Sequence, residues 1–428
     1  MLISISDSCS GWVLDHLRPS LGKMLLFAAF FDRLGRNPRS LLLGGQLTSY
    51  FYPAMAARAL GLVNSVQPPA PLLQCRLSRL SIRSLFSTPP HIPQKTVRMK
   101  VMFFGTDDFA VKSLVRLHKE VSSEEGCLRG LAVTVLQMKS LTPAVTKYAS
   151  QHGLDLYHWP PDPGLIGKEG FDLGVVASFG RLLPASLISA FPLGMINVHG
   201  SLLPRWRGAA PVVHAIMRGD PVTGVTIMRV KPKKFDVGEV LARREVQLDP
   251  DILRGELTAQ LAESGSELLM EVLKDFPKYS TQALPQSSFG VTHAPLVTRS
   301  MAQIDFETMD AKQVYDLWRA LGDLAKLHTI YSGTKTEVRL ATCYPPSTTA
   351  TTNQLKLDAR PGTIQFLKLG KKKKYVCVKC REGWAAFSGI YYGKRKEMNP
   401  TDFYNGYLSK IGEHTFIHCS KVKPPDGS

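Results

Sequence analysis

Asn197, His199 and Asp236 have the types and spacing to do chemistry together. Asn197 and His199 close the apolar run in Ile196-Asn197-Val198-His199-Gly200, and Asp236 stands in Lys234-Phe235-Asp236-Val237-Gly238. A two-residue spacing on a strand puts both polar side chains on one face. The amide is a fixed donor, the imidazole a donor or proton shuttle, and a nearby carboxylate favours the imidazolium. Such a set suits a reaction in which negative charge builds on an oxygen while a nucleophile sheds a proton. The Gly, Pro and Arg residues after His199 cannot continue a sheet, so the chain turns there and leaves an opening beside the pair. Asp236 precedes Gly238 in a loop able to fold back over the strand end. Singly, each residue also has a purely structural explanation: a loop cap for Asn197, a half-buried histidine for His199, an Asx-turn for Asp236.

The elements that must hold these residues alternate between strand and helix. Lys100-Val101-Met102-Phe103-Phe104 is a compact apolar run, and Gly105-Thr106-Asp107-Asp108 supplies a turn and an N-cap for a helix through Val111, Leu114, Val115 and Leu117. Strands follow at 131–136, 154–159 and 173–178, with a helix at 143–152. Near-continuous apolar strands alternating with helices predict an α/β domain with a mostly parallel, Rossmann-like sheet covered on both faces. Ligands of such sheets bind outside the carboxyl ends of the strands, where Asn197 and His199 fall. No G-x-G-x-x-G follows the first strand, so a nicotinamide or flavin dinucleotide is not supported. Leu257, Leu261, Leu268, Leu269, Val272 and Leu273 fit the core face of a helix.

Charge is unevenly spread along the 428 residues. Residues 1–97 carry 10 Lys or Arg against 3 acids, 98–330 carry 26 against 25, and 331–428 carry 17 against 7. A neutral middle with a basic tail suits chemistry in the middle and a polyanionic partner on the tail. Seven scattered Cys do not suggest a disulfide framework, which points to a reducing compartment. Between Asp32 and Asp107 there is no acid, while Arg76, Arg79 and Arg83 recur among Ser, Leu and Phe, as in a mitochondrial targeting leader. Met24 to Phe31 is too short an apolar run to span a bilayer, and Met55 is a tidier start for a leader.

The domain boundaries expected are a leader over 1–97, a catalytic domain over 98–283, a Pro-, Ser- and Thr-rich linker over 284–300, and a C-terminal domain over 301–428. That last domain opens with a helix near 311–321. Strands at 337–342, 362–369, 375–379 and 384–392 then suit a small, basic β-barrel of the oligonucleotide-binding (OB-like) type. Lys371, Lys372, Lys373 and Lys374 lie between two of these strands and suit an RNA backbone. Arg205 and Arg207 flank Trp206, a pattern that fits stacking on a terminal nucleotide or gripping phosphates, or a loop held by cation–π packing and salt bridges. Cys377 and Cys380 form a C-x-x-C without a second pair at ligand spacing, so no metal is expected.

These motifs carry a resemblance. Phe103-Phe104-Gly105-Thr106, Ser178-Phe179-Gly180, the run Asn197-Val198-His199-Gly200-Ser201-Leu202-Leu203-Pro204-Arg205-Trp206-Arg207-Gly208, Gly224-Val225-Thr226-Ile227-Met228 and Asp236-Val237-Gly238 resemble those of the methionyl-tRNA formyltransferase family. The resemblance runs from about residue 98 to the C-terminus, and the leader is similar to that of mitochondrial members. It implies transfer of a formyl group from 10-formyltetrahydrofolate to the amino group of methionine on initiator tRNA. It further implies Asn197, His199 and Asp236 as catalytic residues, and Ser201, Leu202, Leu203 and Pro204 as part of the folate pocket. A monomer in the mitochondrial matrix, with no membrane partner, is the expected state.

Two departures qualify the resemblance. Bacterial members carry a longer basic loop after the second strand, where this chain has only Met138-Lys139-Ser140-Leu141-Thr142. The His199-to-Asp236 spacing, through Lys231-Pro232-Lys233-Lys234, is one residue longer than usual. Rival readings are formylation of glycinamide ribonucleotide or a nucleotide sugar, hydrolysis of the formyl donor, or an inactive RNA-binding relative. The basic barrel argues against the first three, because a small acceptor does not need it. The intact Asn197, His199 and Asp236 set argues against the last. Ser201 as an acyl-enzyme nucleophile is disfavoured by the absence of a Gly-x-Ser-x-Gly elbow.

Overall fold

The computed structural model describes residues 98–137, 142–410, 412, 414–418 and 420. The expected leader and Met138-Lys139-Ser140-Leu141 lie outside the described residues. From Met99 the chain builds a seven-stranded sheet in the order β3-β2-β1-β4-β5-β6-β7. Its strands are β1 (Met99–Gly105), β2 (Leu128–Val135), β3 (Asp155–His158), β4 (Leu173–Ala177), β5 (Met195–His199), β6 (Val222–Arg229) and β7 (Val240–Gln247). The first five run parallel, while β6 and β7 add antiparallel at one edge. The mostly parallel sheet read from the sequence is therefore present, with β2 starting earlier than predicted.

Alternation along β1 explains why both faces are covered. Val101 and Phe103 point into one core with Leu114, Leu117, Leu257, Leu261 and Leu269, carried by the helices Asp108–Val121 and Arg254–Lys274. Met102 and Phe104 point into a second core with Ile166, Leu187 and Phe191. Because β1 pairs with β2 on one side and β4 on the other, the strand order reverses beside it, which opens a crevice at the carboxyl ends.

The C-terminal strands form two antiparallel sheets, β10-β13-β12-β11 and β15-β14-β9-β8-β16. Their ranges are β8 (Leu327–Tyr331), β9 (Thr336–Leu340), β10 (Cys343–Tyr344), β11 (Ile364–Leu369), β12 (Lys373–Lys379), β13 (Trp384–Phe387), β14 (Ile390–Tyr392), β15 (Glu397–Met398) and β16 (Phe416–Ile417). The strand predicted over 384–392 breaks at Ser388-Gly389 and passes from one sheet into the other. At the opposite edge, Ile364 donates to the His414 carbonyl and Phe416 to the Gly362 carbonyl, which ties β11 to the β16 segment. The two sheets thus close on each other as a small barrel, in line with the OB-like expectation. A helix at Ala311–Leu321 carries Val314, Leu317 and Leu321 into the same continuous core as the catalytic sheet. No helix among the described residues is long and apolar enough to cross a membrane.

Candidate active site

His199 is the last residue of β5, and its backbone pairs with Thr226 of β6 while Asn197 pairs with Met228. Both open onto a cleft of about 540 Å³ at the carboxyl ends of β1, β4 and β5. The loop after β6 returns Asp236 to this strand end. Asp236 Oδ2 lies 3.4 Å from His199 Nε2 and accepts the Gly208 N–H at 2.9 Å. The structure therefore brings together all three residues singled out as chemically competent.

Ser201 decides which face of the imidazole is free. Its Oγ lies 3.0 Å from His199 Nδ1 and 2.6 Å from the Arg205 carbonyl. A hydroxyl has one hydrogen, and a carbonyl can only accept, so Ser201 gives its hydrogen to Arg205 and accepts from Nδ1–H. Among the described residues Nε2 has no hydrogen-bond partner, and it faces the Asp236 carboxylate at 3.4 Å. Burial pushes the Asp236 carboxyl up, but the facing His199, the Gly208 amide and the charge of Arg207 outweigh it and hold the group below its ordinary value. Ser201→Ala is expected to lower turnover by about threefold to tenfold, the scale of one lost hydrogen bond, with little change in KM; steady-state kinetics check this, and an unchanged kcat would remove Ser201 from the site.

Of the residues expected at the folate, Ser201, Leu202, Leu203 and Pro204, none lines this cleft. Ser201 and Leu203 are buried, and the turn is pinned from behind by Thr226, whose Oγ1 donates to the Ser201 carbonyl and accepts from Leu203 N–H. The residues support His199 because a chain that reverses directly after a central strand must bury its turn. Apolar lining comes instead from Phe109, Val176, Phe179, Leu183 and Val212, with the Ser178-Phe179-Gly180 turn at the end of β4. Ser178 donates its hydroxyl to Asp107, the N-cap of the first helix, which fixes that turn.

Arg205 and Arg207 are both committed within the chain. Arg205 donates to Asp220, its guanidinium lies 4.4 Å over the Trp206 ring, and Trp206 Nε1 donates to the same carboxylate at 2.7 Å. Arg205 thus serves the packed loop that was its alternative explanation. Arg207 donates to the side-chain carbonyl of Gln286. The segment expected as a plain linker is in fact bonded to the site loop: Thr292 Oγ1 accepts from Trp206 N–H, and Ala294 exchanges backbone bonds with Arg207 and Ala210. No pattern of type or spacing marks Gln286, Thr292 or Ala294 in advance, because each acts across a gap in sequence of some eighty residues.

Gly238 shows how tightly the Asp236 loop is held. A Cβ there would sit 1.8 Å from the Arg229 carbonyl oxygen, so no side chain is compatible with this close approach. On the barrel, Lys371 and Lys372 form the tip of the β11–β12 hairpin and are exposed, Lys373 opens β12, and Lys374 donates to Thr401. Cys377 and Cys380 belong to different cores, and burial above all pushes both thiols up to about 12. No cluster of three or more His, Cys, Asp or Glu with metal-binding geometry occurs among the described residues.

A parallel sheet with a polar triad at the end of its fifth strand, followed by a closed barrel, also matches two family models. Residues 164–273 match "Formyl transferase" and residues 296–408 match "Formyl transferase, C-terminal domain". The fold is that of a formyl transferase. The mitochondrial methionyl-tRNA formyltransferase of Rattus norvegicus is 38% identical over 72% of this chain and 78% of its own length. That of Homo sapiens is 37% identical over the same shares, and the methionyl-tRNA formyltransferase of Acetivibrio thermocellus is 30% identical over 74% of this chain and 98% of its own. The chain belongs to the methionyl-tRNA formyltransferase family.

Proposed function

We propose that this protein transfers the formyl group of 10-formyltetrahydrofolate to the α-amino group of methionyl-tRNA for initiation of translation in the mitochondrial matrix. The observation that carries the chemistry is the uncommitted, buried Nε2 of His199 between Asp236 and a cleft that Asn197 also lines. The cleft fits the donor: its volume is ordinary for a small-ligand site, and its apolar walls with a few polar side chains suit a flat, hydrogen-bonding ring. When bound, the donor supplies the one-carbon carbonyl that the amine attacks.

The chain's own residues do the rest. Asn197 and His199 face the oxygen on which negative charge builds, already oriented before reaction. Asp236 stays ionised and holds His199 in place, and the proton shed by the attacking amine is relayed through one water to the donor nitrogen released as its bond to the formyl carbon breaks. Ser201 keeps the ring from rotating. The proposed acceptor is held by the barrel, where Lys371 and Lys372 project from a hairpin in a region of net positive charge.

The direct test mixes the protein with 10-formyltetrahydrofolate and charged initiator tRNA. Formyl-methionyl-tRNA is the expected product; its absence, or equal use of glycinamide ribonucleotide as acceptor, sinks this reading. Replacing Lys371 and Lys372 together by glutamate is expected to weaken tRNA binding and to flatten the dependence of log Kd on log salt by about one unit per lost phosphate contact, with catalysis at saturating tRNA unchanged. A salt slope identical to that of the parent would show that the hairpin does not meet RNA.

A further inference from the structure

Gln286 follows the catalytic sheet, and its side chain joins the two loops that build the site. Its amide nitrogen donates to the carbonyl oxygens of Asp236 and Gly238 at 2.9 and 3.0 Å. Its side-chain oxygen accepts from Arg207 Nε and Nη2 at 3.0 and 2.7 Å. Two donors and two lone pairs are the whole capacity of a carboxamide, and all are used. The orientation is forced, because a guanidinium offers only donors and backbone carbonyls only acceptors, so the flipped amide would lose every one of these bonds.

What these bonds restrain is the backbone that carries Asp236. Its φ is +54°, a left-handed conformation that a residue with a Cβ keeps only where its surroundings impose it. Gln286 holds the carbonyls of Asp236 and Gly238 along this turn. On the other loop, Arg207 directly precedes Gly208, whose N–H meets the Asp236 carboxylate. Gln286 therefore grips both sides of the Asp236–Gly208 contact without itself lining the cleft.

We propose that Gln286 is a positioning residue for formyl transfer, clamping the Asp236 loop to the Arg207-Gly208 loop so that the carboxylate stays against His199. This rests on the proposed reaction, but its test reads a ratio between variants and parent. Loss of preorganised geometry slows the chemical step, and Gln286 does not itself line the cleft, so kcat should move more than KM. Gln286→Glu keeps both bonds from Arg207 and sets a carboxylate oxygen against two carbonyls. Gln286→Met deletes all four bonds without adding charge.

In the full-length protein, with formyl donor and methionyl-tRNA, both variants are expected to lose between about tenfold and a hundredfold in kcat. KM for each substrate should stay within about threefold, and melting temperature close to that of the parent. Parental kcat in Gln286→Glu would mean that the residue serves only Arg207, and it overturns the proposal. So does a loss confined to KM, or unfolding of both variants, which would mark a merely structural role. Failure of the parent to formylate methionyl-tRNA at all would count against the proposed function instead.

Discussion

Replacing His199 by alanine is expected to lower kcat for formyl transfer by about a thousandfold while leaving the fold intact. The ring supplies the donor that faces the reacting oxygen and the link through which Asp236 acts, so both functions go together. Alanine leaves a void at the end of β5, yet the strand is held by pairing with β4 and β6, and the neighbouring turn by Thr226. The check is single-turnover formylation of methionyl-tRNA alongside thermal melting. If the variant turns over like the parent, the imidazole is not part of the chemistry and the site must be sought elsewhere.

Asp236→Asn is expected to cost between about a hundredfold and a thousandfold in kcat. Asparagine matches the carboxylate in size and can still accept the Gly208 N–H, so the loop keeps its place while the charge facing His199 is lost. The effect on stability follows from the sign of the shift. The Asp236 carboxyl is held below its ordinary value despite burial, so its ionised form is bound more tightly in the folded chain. That contribution is fully present above the unfolded carboxylate value of about 3.9 and is lost as pH falls through the lower folded value. The gap in melting temperature between parent and Asp236→Asn should therefore be constant near neutrality and shrink on acidification below about pH 4. A gap that widens in acid would mean that the carboxylate is destabilised, contrary to its contacts with His199 and Gly208. Because Asp236 remains ionised throughout the neutral range, lowering the pH should not restore activity to the variant.

Local pattern made much of this molecule legible. The apolar runs of β1 and β4 and the periodicity of the helix Arg254–Lys274 report burial within a few residues, so strands, helices and the parallel sheet could be read directly. Asn197 and His199 were legible for the same reason, since two-residue spacing on a strand fixes a shared face. The five-residue strand Leu327–Tyr331 was missed, for so short a half-buried run lying close after a helix carries little periodic signal.

Side-chain partners across loops were not legible. The resemblance placed the run from Ser201 to Pro204 at the folate, and only the path of the turn shows Thr226 bonded to the Ser201 carbonyl and the Leu203 amide. Type and spacing left Arg205 open between nucleic-acid contact and loop packing, and the structure shows it bonded to Asp220 and lying over Trp206. The residues around Gln286 read as an interdomain linker, and only the structure shows that Gln286 bonds to the Asp236 and Gly238 carbonyls. The sequence by itself determined the sheet, the strand end that presents Asn197 and His199, and the charge of the C-terminal domain, because each depends on neighbours within one element. Only the tertiary structure decided that Asp236 meets His199, that Arg205 and Arg207 are bonded within the chain, and what holds the loop, because those contacts join segments whose meeting depends on how the whole sheet folds.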